Sequence, residues 1–232
     1  MRTAALLALF WAGIAAADCP RPEGVGSASI SSKSDAERLR FLASNLGQQS
    51  DASLRWTLGW GLTYGVLTIG QIAVMPLFDK EYWPDWYWGA ITSALGIPLI
   101  FAASPGLLAR GGDFRQRAGA ATPENTCALI AEGERLLIDG AKAQYDSTRW
   151  YVHATNIGVN VVLALILGFA YQHWPAAALN FGLGAPAGEA TILTTPTGLV
   201  DALSLYRHGD KRPPLTWNLV PMGLGLGVAG RF

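Results

Sequence analysis

Two kinds of hydrophobic pattern alternate along this chain. From Trp56 to Phe78 no charged residue interrupts 23 positions, about 34 Å of helix at 1.5 Å per residue and enough to span a bilayer core. Just ahead, Leu39, Leu42 and Leu46 recur at helical spacing, with Arg38 and Arg40 off that stripe. That pattern predicts an amphipathic helix packed outside a bilayer. Ser34-Asp35-Ala36-Glu37 has the form of a capping box and sets its start. A second apolar segment runs over about 87–109, bent or ended by Pro98 and Pro105.

The order then returns. Thr122-Pro123 is expected to cap a second amphipathic helix, with proline at its first position, that carries Leu129, Leu136 and Leu137 and runs on into a third apolar segment, Trp150 to Tyr171. A fourth, about 175–193, contains Gly182, Gly184, Pro186 and Gly188 and reads as a broken or closely packed helix. Thr195-Pro196 restarts a short helix through Leu199, Leu203 and Tyr206. Landmarks recur with it: Arg55-Trp56, Trp83-Pro84 and Ser104-Pro105 return as Arg149-Trp150, Trp174-Pro175 and Thr195-Pro196, the last two both offset by 91 residues. The expected fold is an all-α integral membrane protein. About four embedded helices form two repeated hairpins, each preceded by an amphipathic helix. The repeats span 34–110 and 122–207, joined by a polar linker at 111–121. In the tail, 208–232, Val220, Met222, Leu224, Leu226 and Val228 alternate with small residues at strand period, so a short terminal strand is expected. A last strand ending in Phe232 resembles the targeting signal of outer-membrane barrel proteins.

Composition sharpens the membrane reading. Half of the 232 residues are hydrophobic and only 15% are charged, against about a quarter in soluble domains. Nine Trp and 27 Gly agree, because Trp gathers at bilayer interfaces and Gly is common in membrane helices. Net charge is zero, and no basic, aromatic stretch suggests nucleic acid. Residues 1–17 have the charged start, short apolar core and Ala15-Ala16-Ala17 cleavage site of a secretory signal, and 18–33 reads as a flexible Pro/Gly/Ser linker. Two cysteines in an exported chain allow one disulfide, Cys19–Cys127.

Charge distribution bears on location. Of the 17 Lys and Arg, only Lys80 falls on the side of the two tight turns, and Arg2 belongs to the signal. The rest share the linker side, which the positive-inside rule would put in the cytoplasm and a cleaved signal outside. Full export with insertion into the outer membrane resolves the conflict and is preferred to the inner membrane.

Candidate chemistry lies within the apolar segments. Thr57, Gly61, Tyr64, Thr68 and Gln71 form one polar stripe at helical spacing; His153, Asn156 and Asn160 form another, and Glu189 sits in the fourth segment. Polar groups at membrane depth face the protein interior or a wet cavity. They mark either a polar intramembrane path or helix-packing faces. Trp56, Trp83, Trp86, Trp88, Trp150 and Trp174 are the expected interfacial anchors. The cluster Asp79, Lys80, Glu81 and Asp85 reads as a solvated turn. No catalytic motif, metal-ligand spacing or cofactor loop is present. The expected role is an envelope structural or assembly component, in contact with lipid and with copies of itself or envelope partners. The alternative is a small channel or transporter, with a membrane-embedded enzyme third.

Overall fold

Ser34 opens the first helix as its sequence predicts: Glu37 accepts hydrogen bonds from both the backbone N–H and the hydroxyl of Ser34, 3.2 and 2.7 Å. These bonds hold the Glu37 carboxyl below its ordinary pKa. A computed structural model describes residues 18–22, 27–102 and 105–210, and the backbone of 216–222 and 225–231. The expected signal, 1–17, lies outside the described residues, as do 23–26 of the linker and Phe232.

Among the described residues seven α-helices follow in order: α1 (Asp35–Val74), α2 (Trp83–Ala102), α3 (Pro105–Gly119), α4 (Thr126–Asp146), α5 (Trp150–Leu165), α6 (Trp174–Leu193) and α7 (Gly198–His208). They sort into two regions. The first half of α1 packs with α3, α4 and α7 into a head. The second half of α1 continues with α2, α5 and α6 as an apolar stem. Among the described residues two helices are long and apolar enough to cross a membrane, Asp35–Leu77 and Trp150–Ala170.

The head has an ordinary hydrophobic core. Leu39, Leu42 and Leu46 of α1 meet Leu107 and Phe114 of α3, Leu129, Ile130, Leu136 and Leu137 of α4, and Leu199 and Tyr206 of α7. Each fully buried large side chain here contributes about 1.5–3 kcal/mol. Gln144 of α4 is fully buried and accepts the Leu199 backbone N–H at 2.8 Å, satisfying a first-turn donor that α7 cannot pair internally. Gly209 ends α7 in the left-handed conformation, φ 80°, close against the Ala28 carbonyl.

Arg38 departs from the solvent-facing position its place beside the leucine stripe predicts. It is fully buried. Its guanidinium donates to Tyr206 Oη, Cys19 O, Asp35 Oδ1, Pro20 O and Glu134 Oε1 at 2.8–3.3 Å, so all five N–H groups are used. Burial opposes its charge, but the bonds to Tyr206 and Glu134 outweigh that and raise its pKa. Burial, joined by Glu134, pushes the Tyr206 hydroxyl up as well. Beside this cluster Cys19 and Cys127 are joined as a disulfide.

Several boundaries differ from expectation. The amphipathic and apolar patterns of the first unit form one unbroken helix, α1. In the second unit, expected to be continuous, Ser147–Arg149 separates α4 from α5. There the Ser147 and Thr148 hydroxyls donate to the carbonyls of Gln144 and Tyr145 and compete with the helix ladder. Thr122 does not cap α4; its backbone N–H is taken by Asn125 Oδ1 at 2.8 Å in a turn one step earlier. Residues 111–119, expected as linker, are helical and belong to α3, clamped to α4 by a two-pronged Arg117–Glu132 pair. The fourth apolar segment is a single helix of 20 residues in spite of Pro186. The tail is an antiparallel hairpin, β1 (Thr216–Met222) with β2 (Gly225–Arg231), where one strand was expected.

Candidate polar site in the apolar stem

Side chains three and four apart share a helix face, and on α5 that face carries His153, Asn156 and Asn160. It packs on the smallest-residue face of α6. A Cβ at Gly184 would collide with the Asn160 amide, and one at Gly188 with the Asn156 amide. The glycines therefore let two polar side chains lie across the α6 backbone. Asn156 Nδ2 donates to Ala185 O at 3.0 Å and to Glu189 Oε1 at 2.9 Å. The other Glu189 oxygen meets His153 Nδ1 at 2.5 Å. Asn160 Nδ2 donates back to Asn156 O and Oδ1, 2.9 and 3.2 Å. His153 and Glu189 remain about a third exposed, while Asn160 is buried. The result is a carboxylate with each oxygen engaged, one by an imidazole and one by an amide. That set can hold a proton or orient a small polar guest.

The stripe on α1 does not join this cluster. Tyr64 pairs with the Thr191 hydroxyl of α6 at 3.1 Å, two residues beyond Glu189. Thr68 Oγ1 donates to Tyr64 O within its own helix. Thr57 is buried and Gly61 half-buried. Gln71 reaches deeper and meets the α2 backbone at Gly89, where the Asn180 amide of α6 also arrives. Trp56 and Trp60 both donate to Thr194 Oγ1, at 3.3 and 3.0 Å. Polar contacts therefore link the two hairpins at several levels.

Sequence reasoning missed one such link. Asp85, expected in a solvated turn, pairs with His173 Nδ1 at 2.7 Å, and both side chains are mostly buried. Tyr82 and Tyr171 flank the imidazole, ring centroids 5.7 and 6.3 Å away. The local backbone is unusual: a π-helical turn, Ile166–Ala170, leads to Gln172 at φ 62°, a conformation uncommon outside glycine. The signal lay in the matched Trp-Pro landmarks, since Asp85 and His173 each sit within two residues of one.

The tryptophans divide. Trp150 and Trp174 are exposed at opposite ends of the stem. Trp83 donates to Phe78 O at 3.1 Å, and Trp86 stacks on Phe78 at 4.9 Å between centroids. Trp88 is no surface anchor. It packs against Leu163, Leu167 and Ala177, and its Nε1 is buried with no hydrogen-bond partner. In the head, Cys19, Cys127 and Asp35 converge at metal-ligand range, but both sulfurs are committed to the disulfide and an Asp35 oxygen accepts the Cys19 N–H.

No family model, curated protein or solved structure matches this chain.

Proposed function

We propose that this is an exported integral membrane protein of the cell envelope, with a structural or assembly role, built from two repeated hairpins embedded through the stem. One observation carries the reading. Large exposed hydrophobic side chains concentrate on the second half of α1 and on α2, α5 and α6, with Val66, Ile69, Leu99, Leu183 and Leu193 each 68–75% exposed. Water does not tolerate such a belt over that many adjacent turns; lipid does. Tryptophans stand at its two rims, as bilayer interfaces favour. Two features support duplication. Helices α2 and α6 are each 20 residues, begin Trp-Pro and contain one further proline. After them α3 and α7 return to pack on the head. The unit is then amphipathic, apolar, apolar, amphipathic, over 34–119 and 122–208, with α3 taking in the stretch read from sequence as a linker. A disulfide fits an oxidising compartment, so the head faces outward from the cytoplasm. The outer membrane is preferred because it also accommodates the Lys and Arg gathered on the head side. The two hairpins meet through a few polar contacts and the packing of Trp88 against Leu163, Leu167 and Ala177, leaving apolar flanks for copies of the chain or envelope partners.

The test is alkaline carbonate extraction of fractionated envelopes, with N-terminal sequencing of the recovered protein. Expected is a carbonate-resistant chain beginning near Asp18 in the outer-membrane fraction. Release into the carbonate supernatant would defeat the embedded reading. An intact Met1 in the inner membrane would defeat export and reverse the orientation.

A small channel or transporter is the second reading, favoured by the His153–Glu189–Asn156 cluster between α5 and α6. Glu189→Gln separates the two: a transporter loses activity while still assembling, whereas a scaffold keeps its function or loses assembly.

A further inference from the structure

Two histidine–carboxylate pairs occupy opposite ends of the stem. His153 lies one turn into α5 and Glu189 one turn before the end of α6, at the head end. His173 immediately precedes α6 and Asp85 lies in the first turn of α2, at the turn end. From Glu189 to His173 is sixteen residues of one helix, about 24 Å. Amide side chains lie along that interval. Asn156 and Asn160 lean on Gly188 and Gly184, and four residues further, one helical turn, the amides of Asn180 and Gln71 both lie against Gly89. Past that point Trp88 packs beside Ala177, one turn from His173.

Two buried atoms in this stretch have no hydrogen-bond partner: the Gln71 Oε1 acceptor and the Trp88 Nε1 donor. Their carriers are held where polar groups are costly, and an unpaired buried group of either kind requires an explanation. An acceptor and a donor placed in sequence between two titratable pairs suit the same guest, a file of water molecules, because water offers both functions.

We infer that the two pairs are the ends of one proton path through the stem, running from His153–Glu189 past Asn156, Asn160, Asn180, Gln71 and Trp88 to His173–Asp85. The inference deepens the transporter reading and rests on it. Glu189 takes up a proton at the head end, with His153 as its exchange partner. The amides and the Trp88 indole orient water between the pairs. For each proton accepted at the head end one leaves His173 by way of Asp85, so no covalent bond is made or broken beyond the O–H and N–H exchanged. A pH or potential difference imposed across the membrane drives the net movement, in whichever direction it runs.

The test uses the purified full-length protein in phosphatidylcholine–phosphatidylethanolamine vesicles enclosing a pH-sensitive dye, with a potassium diffusion potential applied. Expected is lumenal pH change faster than in protein-free vesicles. Glu189→Gln and Asp85→Asn should each slow it by on the order of a hundredfold, the scale of a lost proton-transfer group. Flotation with the vesicles and an intact Cys19–Cys127 disulfide on nonreducing gels report folding for every variant. If Asp85→Asn fails that check, His173→Gln and Gln71→Leu probe the same stretch and should show the same loss. Flux abolished by Glu189→Gln but untouched by folded turn-end variants would overturn the path while leaving transport at the head-end site standing. Wild-type protein that floats yet conducts no faster than empty vesicles would also overturn it. Failure of the wild type to float would remove the embedded reading and the path together.

Discussion

Arg38 binds three segments that are distant in sequence. Its partners are the carbonyls of Cys19 and Pro20, Asp35 on its own helix, Glu134 on α4 and Tyr206 on α7. Replacing it by methionine keeps an unbranched side chain but leaves two carbonyls without a donor and Glu134 with only the Tyr206 hydroxyl. The expected cost is about 3–5 kcal/mol, the usual result of breaking one side of a buried pair. Lysine restores charge but not the planar five-donor fork, so Arg38→Lys should recover less than half of that loss. Urea unfolding in detergent, followed by circular dichroism, measures both. Variants within about 1 kcal/mol of wild type would show that the network is redundant. Sequence periodicity placed Arg38 beside the Leu39–Leu42–Leu46 stripe and hence in solvent. It had no means of showing that three other segments close over that side. His173 and Asp85 were hidden for the same reason, whereas His153, Asn156 and Asn160 were legible because one helix carries all three. Their meeting with Glu189 depended on Gly184 and Gly188, whose role was visible only as a tendency toward close packing.

At the scale of elements, apolar periodicity located the helices better than their ends. The leucine stripes of α1 and α4 are buried as spacing requires, and the Trp-Pro landmarks open α2 and α6. Continuity was harder to read, because it depends on a few local bonds. Helix α1 runs on for 40 residues, about 60 Å, and carries the head directly into the stem. Across the corresponding junction Ser147 and Thr148 divert α4's last carbonyls. The supposed linker became α3 because Phe114 finds a buried site and Arg117 reaches Glu132 across the gap. That Arg117 contact holds the Glu132 carboxyl below its ordinary range. Since the folded pKa is depressed, the pair's contribution is complete above the unfolded value of about 4.3 and is lost as pH falls through the lower folded value. Both side chains are partly exposed, 42% and 35%, so screening limits the contribution to about 0.5–1 kcal/mol. Glu132→Gln should therefore lower stability by that amount at neutral pH. The gap from wild type should close as pH falls below about 4 and shrink in high salt. A gap that stayed constant from pH 7 to pH 3 would mean the pair does not hold α3 to α4.

For the whole molecule, stability is unevenly distributed. The stem has small buried clusters and is held between hairpins by Trp88 and a few polar contacts, while the head has a continuous core and a covalent tie. Cys19 and Cys127 are 108 residues apart in sequence, and closing a loop of that size removes about 4–5 kcal/mol of unfolded-state freedom in the chain-entropy model. The tie also fixes the N-terminal segment whose carbonyls accept from Arg38, so the disulfide and the Arg38 network act on the same contacts. Cys127→Ser should destabilise the head by about 3–4 kcal/mol. Combined with Arg38→Met it should cost less than the sum of the two, because each change releases residues 19–20 that the other also secures. Stem helicity in detergent should change little, since the disulfide lies beside Asp35 at the start of α1, the end far from the stem. The double-mutant cycle, read by urea unfolding of the head, checks both statements. Strict additivity would show that the N-terminal segment is held independently at its two points. A stem that melted along with the head would show that α1, the one helix shared by both regions, transmits the loss from one to the other.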